Sequence, residues 1–330
     1  MLQVTSKARI TAIGSYVPER KLTNFDLEKL VETNDEWIVQ RSGIKERRMA
    51  HEDEFTSDLG YQAVNNLIER SNKSIIDVDM IIVCTFSPDF HTPSSASLIQ
   101  AKLGIKNCGA VDLNAACAGF TYGLHIANGL VSSGLHKKVL VIGSETLSKI
   151  VDYEDRSTCI LFGDGAGAVL IEYDEQHPSF LSYHMNSEGE KAKSLYCSNL
   201  SSTLSEETLI NSGKMVQNGR EVYKWAVTTV PKGMQKVMEQ VSMPLSDLDW
   251  FVPHSANLRM VESICKKTGF PIEKTLYSLV DYGNTSAASI PLALDKGVRE
   301  GKVKNGNTLL LYGFGGGLTQ SGLLIHWNID

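Results

Sequence analysis

The chain alternates short, continuous apolar runs with longer segments of helical period, and it does so twice. Asp77-Val-Asp-Met-Ile-Ile-Val-Cys84 reads as an acidic turn feeding a buried strand, and Asp247-Leu-Asp-Trp-Phe-Val-Pro-His254 repeats it about 170 residues later. An apolar run starting at Gly109 turns into a small-residue helix that opens at Cys117 and continues to about Ser133, with the strand Val139–Glu145 behind it. In the second half a helix opens at Ser286 and the strand Thr308–Phe314 follows at nearly the same spacing. Phe162-Gly-Asp-Gly-Ala-Gly-Ala-Val-Leu-Ile171 is echoed by the segment Phe314–Ile325, which begins Phe-Gly-Gly-Gly. Pairs in the same order at similar offsets predict an internal duplication.

The strands are unbroken Val/Ile/Leu runs, as expected of a sheet covered by helices on both faces. The pattern therefore predicts two α/β halves, 1–175 and 176–330, packed as one unit around a pseudo-twofold axis. Equivalent positions then converge on a shared centre with different chemistry, Cys117 against Ser286 and Cys84 against His254. One half supplies a nucleophile and the other supplies polar groups.

Composition narrows the class. With 330 residues, 42% hydrophobic and 21% charged, the chain has the make-up of a soluble globular protein. A net charge of −6 argues against a general nucleic-acid binder, though it leaves room for a local basic patch. No signal-like or membrane-spanning apolar stretch is present in the sequence. Six cysteines scattered without CxxC or Cys/His spacing fit a reduced, cytoplasmic setting and disfavour a zinc site or a disulfide framework.

Cys117 lies where a strand-like run meets a helix, and free N–H groups there favour the thiolate. Ala118, Gly119, Gly123, Ala127 and Gly129 predict a buried helix, hence a dry and oriented sulfur. A lone Cys in an apolar run is most often core packing, so the assignment leans on other residues. His254 ends a buried strand in Pro-His-Ser-Ala-Asn257. Asn284 sits in a glycine turn before a helix, and Gly315-Gly-Gly317 lets a backbone N–H approach a ligand closely. Each alone has an ordinary structural explanation: a hydrogen-bonded His, a capping Asn, a tight Gly connection.

Together these residues resemble the thiolase-fold condensing enzymes, most closely the β-ketoacyl-acyl carrier protein synthase III family. The resemblance spans essentially the whole chain. It is carried by Asn34-Asp-Glu-Trp-Ile-Val-Gln-Arg-Ser-Gly43, Ala115-Ala-Cys-Ala-Gly119, His254-Ser-Ala-Asn-Leu-Arg259 and Gly283-Asn-Thr-Ser286. It implies a thiolase-like α/β/α/β/α layering and a catalytic set of Cys117, His254 and Asn284. The reaction it implies is a decarboxylative Claisen condensation of an acyl-CoA primer with malonyl-acyl carrier protein, which initiates type II fatty acid synthesis. The backbone N–H groups of Cys117 and Gly316 would form the oxyanion hole, and no metal or redox cofactor would be required.

By the same resemblance Trp37 and Arg156 would take the CoA adenine, Arg41 the phosphates and Asn257 the pantetheine arm. Read without it, Thr33-Asn-Asp-Glu36 is a capping box that makes Trp37 a staple, and Arg156 is a local ion pair. Lys224, Arg259, Lys266 and Lys267 would form the basic dock of an acidic carrier protein, Arg259 and Lys266 lying seven apart on one predicted helix. Ser255 replaces the family's common Gln after the His. Thr92 stands where some members carry Phe, which implies a roomier primer pocket reached from within the chain or across a homodimer. A condensing enzyme of polyketide or quinolone-type metabolism would keep the same triad. A degradative thiolase would need a second Cys near Gly315, and none follows Cys265. A Cys-His hydrolase and a non-enzymatic carrier-binding scaffold are the remaining readings; the scaffold would have lost a member of the triad.

Overall fold

The computed structural model describes residues 5–329 except 199, 205, 211 and 212. In chain order its main elements are β1 (Ala8–Tyr16), α1 (Asp35–Ser42), α2 (Thr56–Ser71), β2 (Met80–Cys84), α3 (Ser95–Leu103), β3 (Gly109–Leu113), α4 (Gly119–Ser132), β4 (Lys138–Thr146) and β5 (Asp164–Tyr173). The second half gives β6 (Phe180–Ser187), α5 (Gly219–Glu239), β7 (Trp250–Pro253), α6 (Leu258–Thr268), α7 (Ser289–Arg299), β8 (Thr308–Gly315) and β9 (Thr319–His326).

The apolar runs form two sheets. The first has the order β1-β5-β4-β2-β3 and the second β7-β8-β9-β6. In both, a parallel pair (β2 with β4, β7 with β8) continues through two antiparallel neighbours. The register fixes the duplication: Met80 pairs with Val139 and Trp250 with Leu309, so each partner recurs 170 residues on. Only the β3 position differs. There the second half offers an isolated parallel bridge from Phe251 to Thr275.

Five layers result. The core between the sheets is filled by Phe120, Leu124, Ala127 and Val131 of α4 and Ile290, Ala293 and Leu294 of α7, against strand residues of both sheets. Leu59, Ala63, Val64 and Leu67 of α2 cover the outer face of the first sheet. Val230, Met234 and Val237 of α5, with Val261 and Ile264 of α6, cover that of the second. Sandwiching α4 and α7 between two sheets explains their small-residue sequences, and it brings both helix N-termini to one place.

Candidate active site

At that place the two halves show the same backbone device. Ala116 and Ser286 both adopt the left-handed region, at φ 45° and 47°, a conformation that non-glycine residues avoid. Each is held by an Asn two residues earlier: Asn114 Oδ1 accepts from the Ala116 N–H at 3.2 Å, and Asn284 Oδ1 from the Ser286 N–H at 2.9 Å. A 3-10 turn follows in both, Ala116–Ala118 and Ser286–Ala288, before α4 and α7 begin. The true counterpart of Cys117 is therefore Ala287, and Ser286 matches Ala116. The pairing of Cys117 with Ser286 expected from sequence slips by one residue, because both segments are runs of small side chains with nothing to set the register. The pairing of Cys84 with His254 holds: His254 donates its N–H to Tyr312 O at 2.8 Å, extending β7 along β8.

The strained residue lifts Cys117 to the apex of the turn, 5% exposed. The N–H groups of Cys117 itself and of Gly316 both act on the thiol, as two converging donors should. The expected resting thiolate is opposed by the burial of the sulfur. Burial, with the Glu145 charge added, pushes the thiol up to about 11 against the pull of Ser286 and the two N–H groups. To the extent that burial keeps the proton on the sulfur, a nearby group must take it when Cys117 attacks.

His254 is 2% exposed, and burial pushes it down to about 3, so its ring is neutral. It packs edge-on to Phe314, centroids 5.3 Å apart, and its Nδ1 lies 2.7 Å from Ser289 Oγ. That hydroxyl also donates to Ser286 O at 2.7 Å. With one proton to give, it either donates there and receives Nδ1–H, or turns to Nδ1 and leaves the ring proton on Nε2. Asn284 is fixed at both ends of its backbone, N–H to Leu161 O at 2.8 Å and O from Gly163 N–H at 3.0 Å. With its Oδ1 spent on Ser286, its Nδ2 amine is the group left for a ligand.

Cys117, His254, Asn284 and Gly316 line one cavity of about 1300 Å³, whose walls also include Phe86, Leu113, Trp37, Arg41, Asn257 and Arg259. Models of 3-oxoacyl-[acyl-carrier-protein] synthase III and of its C-terminal part match residues 111–189 and 238–327. The chain is 70% identical over 324 residues to β-ketoacyl-[acyl-carrier-protein] synthase III 2 of Halalkalibacterium halodurans, covering 98% of each chain. The chain belongs to the β-ketoacyl-[acyl-carrier-protein] synthase III family. The Bacillus anthracis relative is 57% identical, with 99% of this chain and 100% of that one covered. The synthase III crystal structure from Thermus thermophilus superposes with a TM-score of 0.93 at 42% identity, covering 97% and 99%. A priming β-ketosynthase of the R1128 polyketide pathway gives 0.90 at 34%, covering 99% of each chain.

Within this synthase III fold the other predicted residues fall as follows. Trp37 is flanked by two guanidinium groups, Arg41 at 5.4 Å and Arg156 at 5.1 Å from its ring centre. Arg156 also donates to Glu32 O at 2.8 Å, where the sequence suggested a local ion pair. A base entering between Trp37 and Arg156 must therefore displace the arginine. The cap of α1 is Asn34, which accepts from the Trp37 N–H, rather than Thr33. Asn257 is the cap of α6: its Oδ1 accepts from the Arg259 N–H at 2.9 Å and its Nδ2 donates to Arg41 O at 2.9 Å. Only one amide hydrogen remains for a ligand.

Lys224, Arg259, Lys266 and Lys267 are all exposed on α5 and α6, the two helices packed over the second sheet. Arg220, one turn before Lys224, lines the cavity as well. Sequence reasoning missed it, because an Arg in a polar helix turn looks like any solvated residue. Thr92 is exposed and stands outside the cavity wall of its own chain, although the adjacent His91 belongs to that wall.

Proposed function

We propose that this protein condenses an acyl-CoA primer with malonyl-acyl carrier protein, giving 3-oxoacyl-acyl carrier protein, CoA and carbon dioxide, the initiating step of type II fatty acid synthesis. The observation that carries the reading is the convergence of Cys117, two N–H donors, His254 and Asn284 on one cavity, in a chain 70% identical to a synthase III. Cys117 attacks the primer thioester while the Cys117 and Gly316 N–H groups hold the oxyanion, and CoA leaves. Malonyl-acyl carrier protein then loses carbon dioxide. The electron pair moves onto its thioester oxygen, to which Asn284 Nδ2 and His254 Nε2 donate hydrogen bonds. For His254 this requires the Ser289 hydroxyl to turn toward Nδ1. The carbanion attacks the acyl group on Cys117 and releases the product. Every step is acyl transfer or decarboxylation, so no electrons have to be carried by a cofactor.

Trp37, Arg156, Arg41 and Asn257 are proposed to bind CoA, and Lys224, Arg259, Lys266 and Lys267, with Arg220, the acidic carrier protein. We take residues 1–175, which supply Cys117, and 176–330, which supply His254 and Asn284, as the two halves. A homodimer is supported by β3, an edge strand with Val111 42% exposed and, among the described residues, no strand neighbour on its outer side. Across such a dimer Thr92 could reach the partner's primer pocket. A cytoplasmic setting fits six free cysteines, and no helix among the described residues is long and apolar enough to cross a membrane. The polyketide reading is less favoured, since that relative stands at 34% identity against 70%.

The half-reactions test the assignment. His254→Ala and Asn284→Ala should each slow malonyl decarboxylation by about 3 kcal/mol of barrier, roughly 100-fold, and leave acylation of Cys117 measurable. Wild-type decarboxylation in both variants refutes the roles given to them.

A further inference from the structure

Glu145, in β4, is fully buried, and the reaction above makes no use of it. Its Oε2 accepts four hydrogen bonds: Thr85 Oγ1 at 2.9 Å, the Phe86 and Ser87 N–H groups at 3.2 Å each, and Ser87 Oγ at 2.5 Å. Its Oε1 is buried with no hydrogen-bond partner of ordinary geometry among the described residues, and so is Ser286 Oγ. The Ser286 hydroxyl nevertheless lies beside both Glu145 and Cys117 and favours the charged form of each. The turn Ser286–Ala288 packs against both β4, which carries Glu145, and the turn that carries Cys117. Under the 170-residue repeat Glu145 corresponds to Gly315, the residue whose missing side chain makes room for Cys117. Two positions related by the duplication thus serve the same sulfur, one with space and the other with a carboxyl group.

We propose that Glu145, acting through the Ser286 hydroxyl, takes the proton of Cys117 when the acyl group arrives and returns it when the acyl group leaves. The inference rests on Cys117 being the acylated nucleophile. On acylation the S–H bond breaks, Ser286 Oγ receives that proton and passes its own to Glu145 Oε1. The sulfur attacks the thioester carbon, the bond to the CoA sulfur breaks, and the CoA thiolate takes a proton from water. On condensation the carbanion expels the Cys117 thiolate, and the proton returns along the same path. Between these events Glu145 is a neutral acid. That removes a negative charge from beside the site while the malonyl carboxylate and its carbanion occupy it.

Two further facts support the assignment. Burial raises Glu145 to about 7, which matches a group that must both accept and release a proton near neutrality, whereas His254 at about 3 cannot retain one. The titratable groups that face Glu145 are the thiols of Cys117 and of Cys84 on β2, and Asp112 of β3 also acts on Cys84. Both thiols are held protonated by burial, so the carboxyl is the group that titrates.

The test uses the full-length enzyme with Glu145→Gln and Ser286→Ala. Gln keeps the size and an oxygen for the four donors. Ala is tolerated at the left-handed turn, because Ala116 already holds that conformation in the other half. Acylation by acetyl-CoA is followed by rapid quenching across a pH series spanning 7. The wild-type rate should rise with pH through about 7 as Glu145 ionises. Both variants should lose that step and acylate about 100-fold more slowly. In the wild type, time-resolved infrared difference spectra near pH 7 should show a protonated carboxyl appearing with the acyl-enzyme, a band missing in Glu145→Gln. Variants that acylate at the wild-type rate with the same pH step overturn the proposal. So does a wild-type acyl-enzyme that forms without the carboxyl band, a result independent of whether either variant folds. If the wild type carries no acyl group on Cys117, the assignment of the nucleophile falls and this inference with it.

Discussion

Gly315→Ala is the substitution whose effect the structure constrains best. A Cβ at 315 would lie 2.7 Å from both the Cβ and the Sγ of Cys117 and 3.3 Å from its N. Carbon atoms in good contact sit about 3.5–4.0 Å apart, so the overlap is roughly 1 Å. The backbone at 315 is extended, φ 172° and ψ −143°, which any residue adopts, so the effect is steric. Cys117 has little room to retreat. On its far side the 3-10 turn runs into Gly119, where even a Cβ would meet Cys84 at 3.3 Å. Overpacking of this kind costs about 1–3 kcal/mol of stability, and moving a nucleophile by ~1 Å costs about 100-fold in rate. Pre-steady-state acylation and denaturant unfolding, measured side by side, separate the two effects. Gly317→Ala is the control: its φ of 122° penalises any side chain, but its Cβ meets only Thr319, at 3.5 Å. It should lose stability, with a loss of acylation smaller than that of Gly315→Ala, since its side chain does not meet Cys117. If Gly315→Ala acylates within a few-fold of wild type, the packing argument around the nucleophile is wrong.

Reversing Lys266 and Lys267 to Glu should weaken use of malonyl-acyl carrier protein more than use of acyl-CoA. The difference should shrink with added salt, since screening acts over ~8 Å at physiological ionic strength; an equal loss with both substrates points to misfolding. Glu145 also makes stability depend on pH. Its folded value, about 7, exceeds its ordinary 4.5, so its contribution is intact below pH 4.5 and is lost as pH rises through 7. At 1.36 kcal/mol per unit the loss is about 3 kcal/mol, and Glu145→Gln should abolish it. Parallel unfolding curves for wild type and variant between those limits would contradict this.

Much of the architecture was legible because buried strands are spelled as unbroken apolar runs, and a second set in the same order betrays the duplication. Cys117 and His254 stand at or just beyond the ends of such runs and Asn284 in a glycine turn before a helix, and it was the family resemblance that drew the three together. Register within Ala115-Ala-Cys-Ala-Gly119 and Thr285-Ser-Ala-Ala-Ser289 was not. It is set by two left-handed residues and the asparagines that hold them, and φ has no sequence signature outside glycine. The forces that set the thiol's protonation were only half visible: a helix N-terminus can be read in sequence, but depth of burial and a carboxyl group from another strand cannot. Glu145 itself reads as the polar end of a strand. Only the packing of the two 3-10 turns against one another, and of the second against β4, brings it near Cys117. Asn257 shows the converse, a residue singled out for a ligand whose atoms are largely spent capping a helix.

Everything in the proposed reaction turns on Cys117 carrying the acyl group between the two substrates. Intact-mass and peptide mass spectrometry after mixing with acetyl-CoA tests it most directly. The expected result is a one-acetyl mass shift confined to the Cys117 peptide, absent in Cys117→Ser and discharged by malonyl-acyl carrier protein with release of carbon dioxide. An acetyl group on Cys84, Cys108, Cys159, Cys197 or Cys265 instead, or a Cys117 adduct that malonyl-acyl carrier protein fails to discharge, would contradict it.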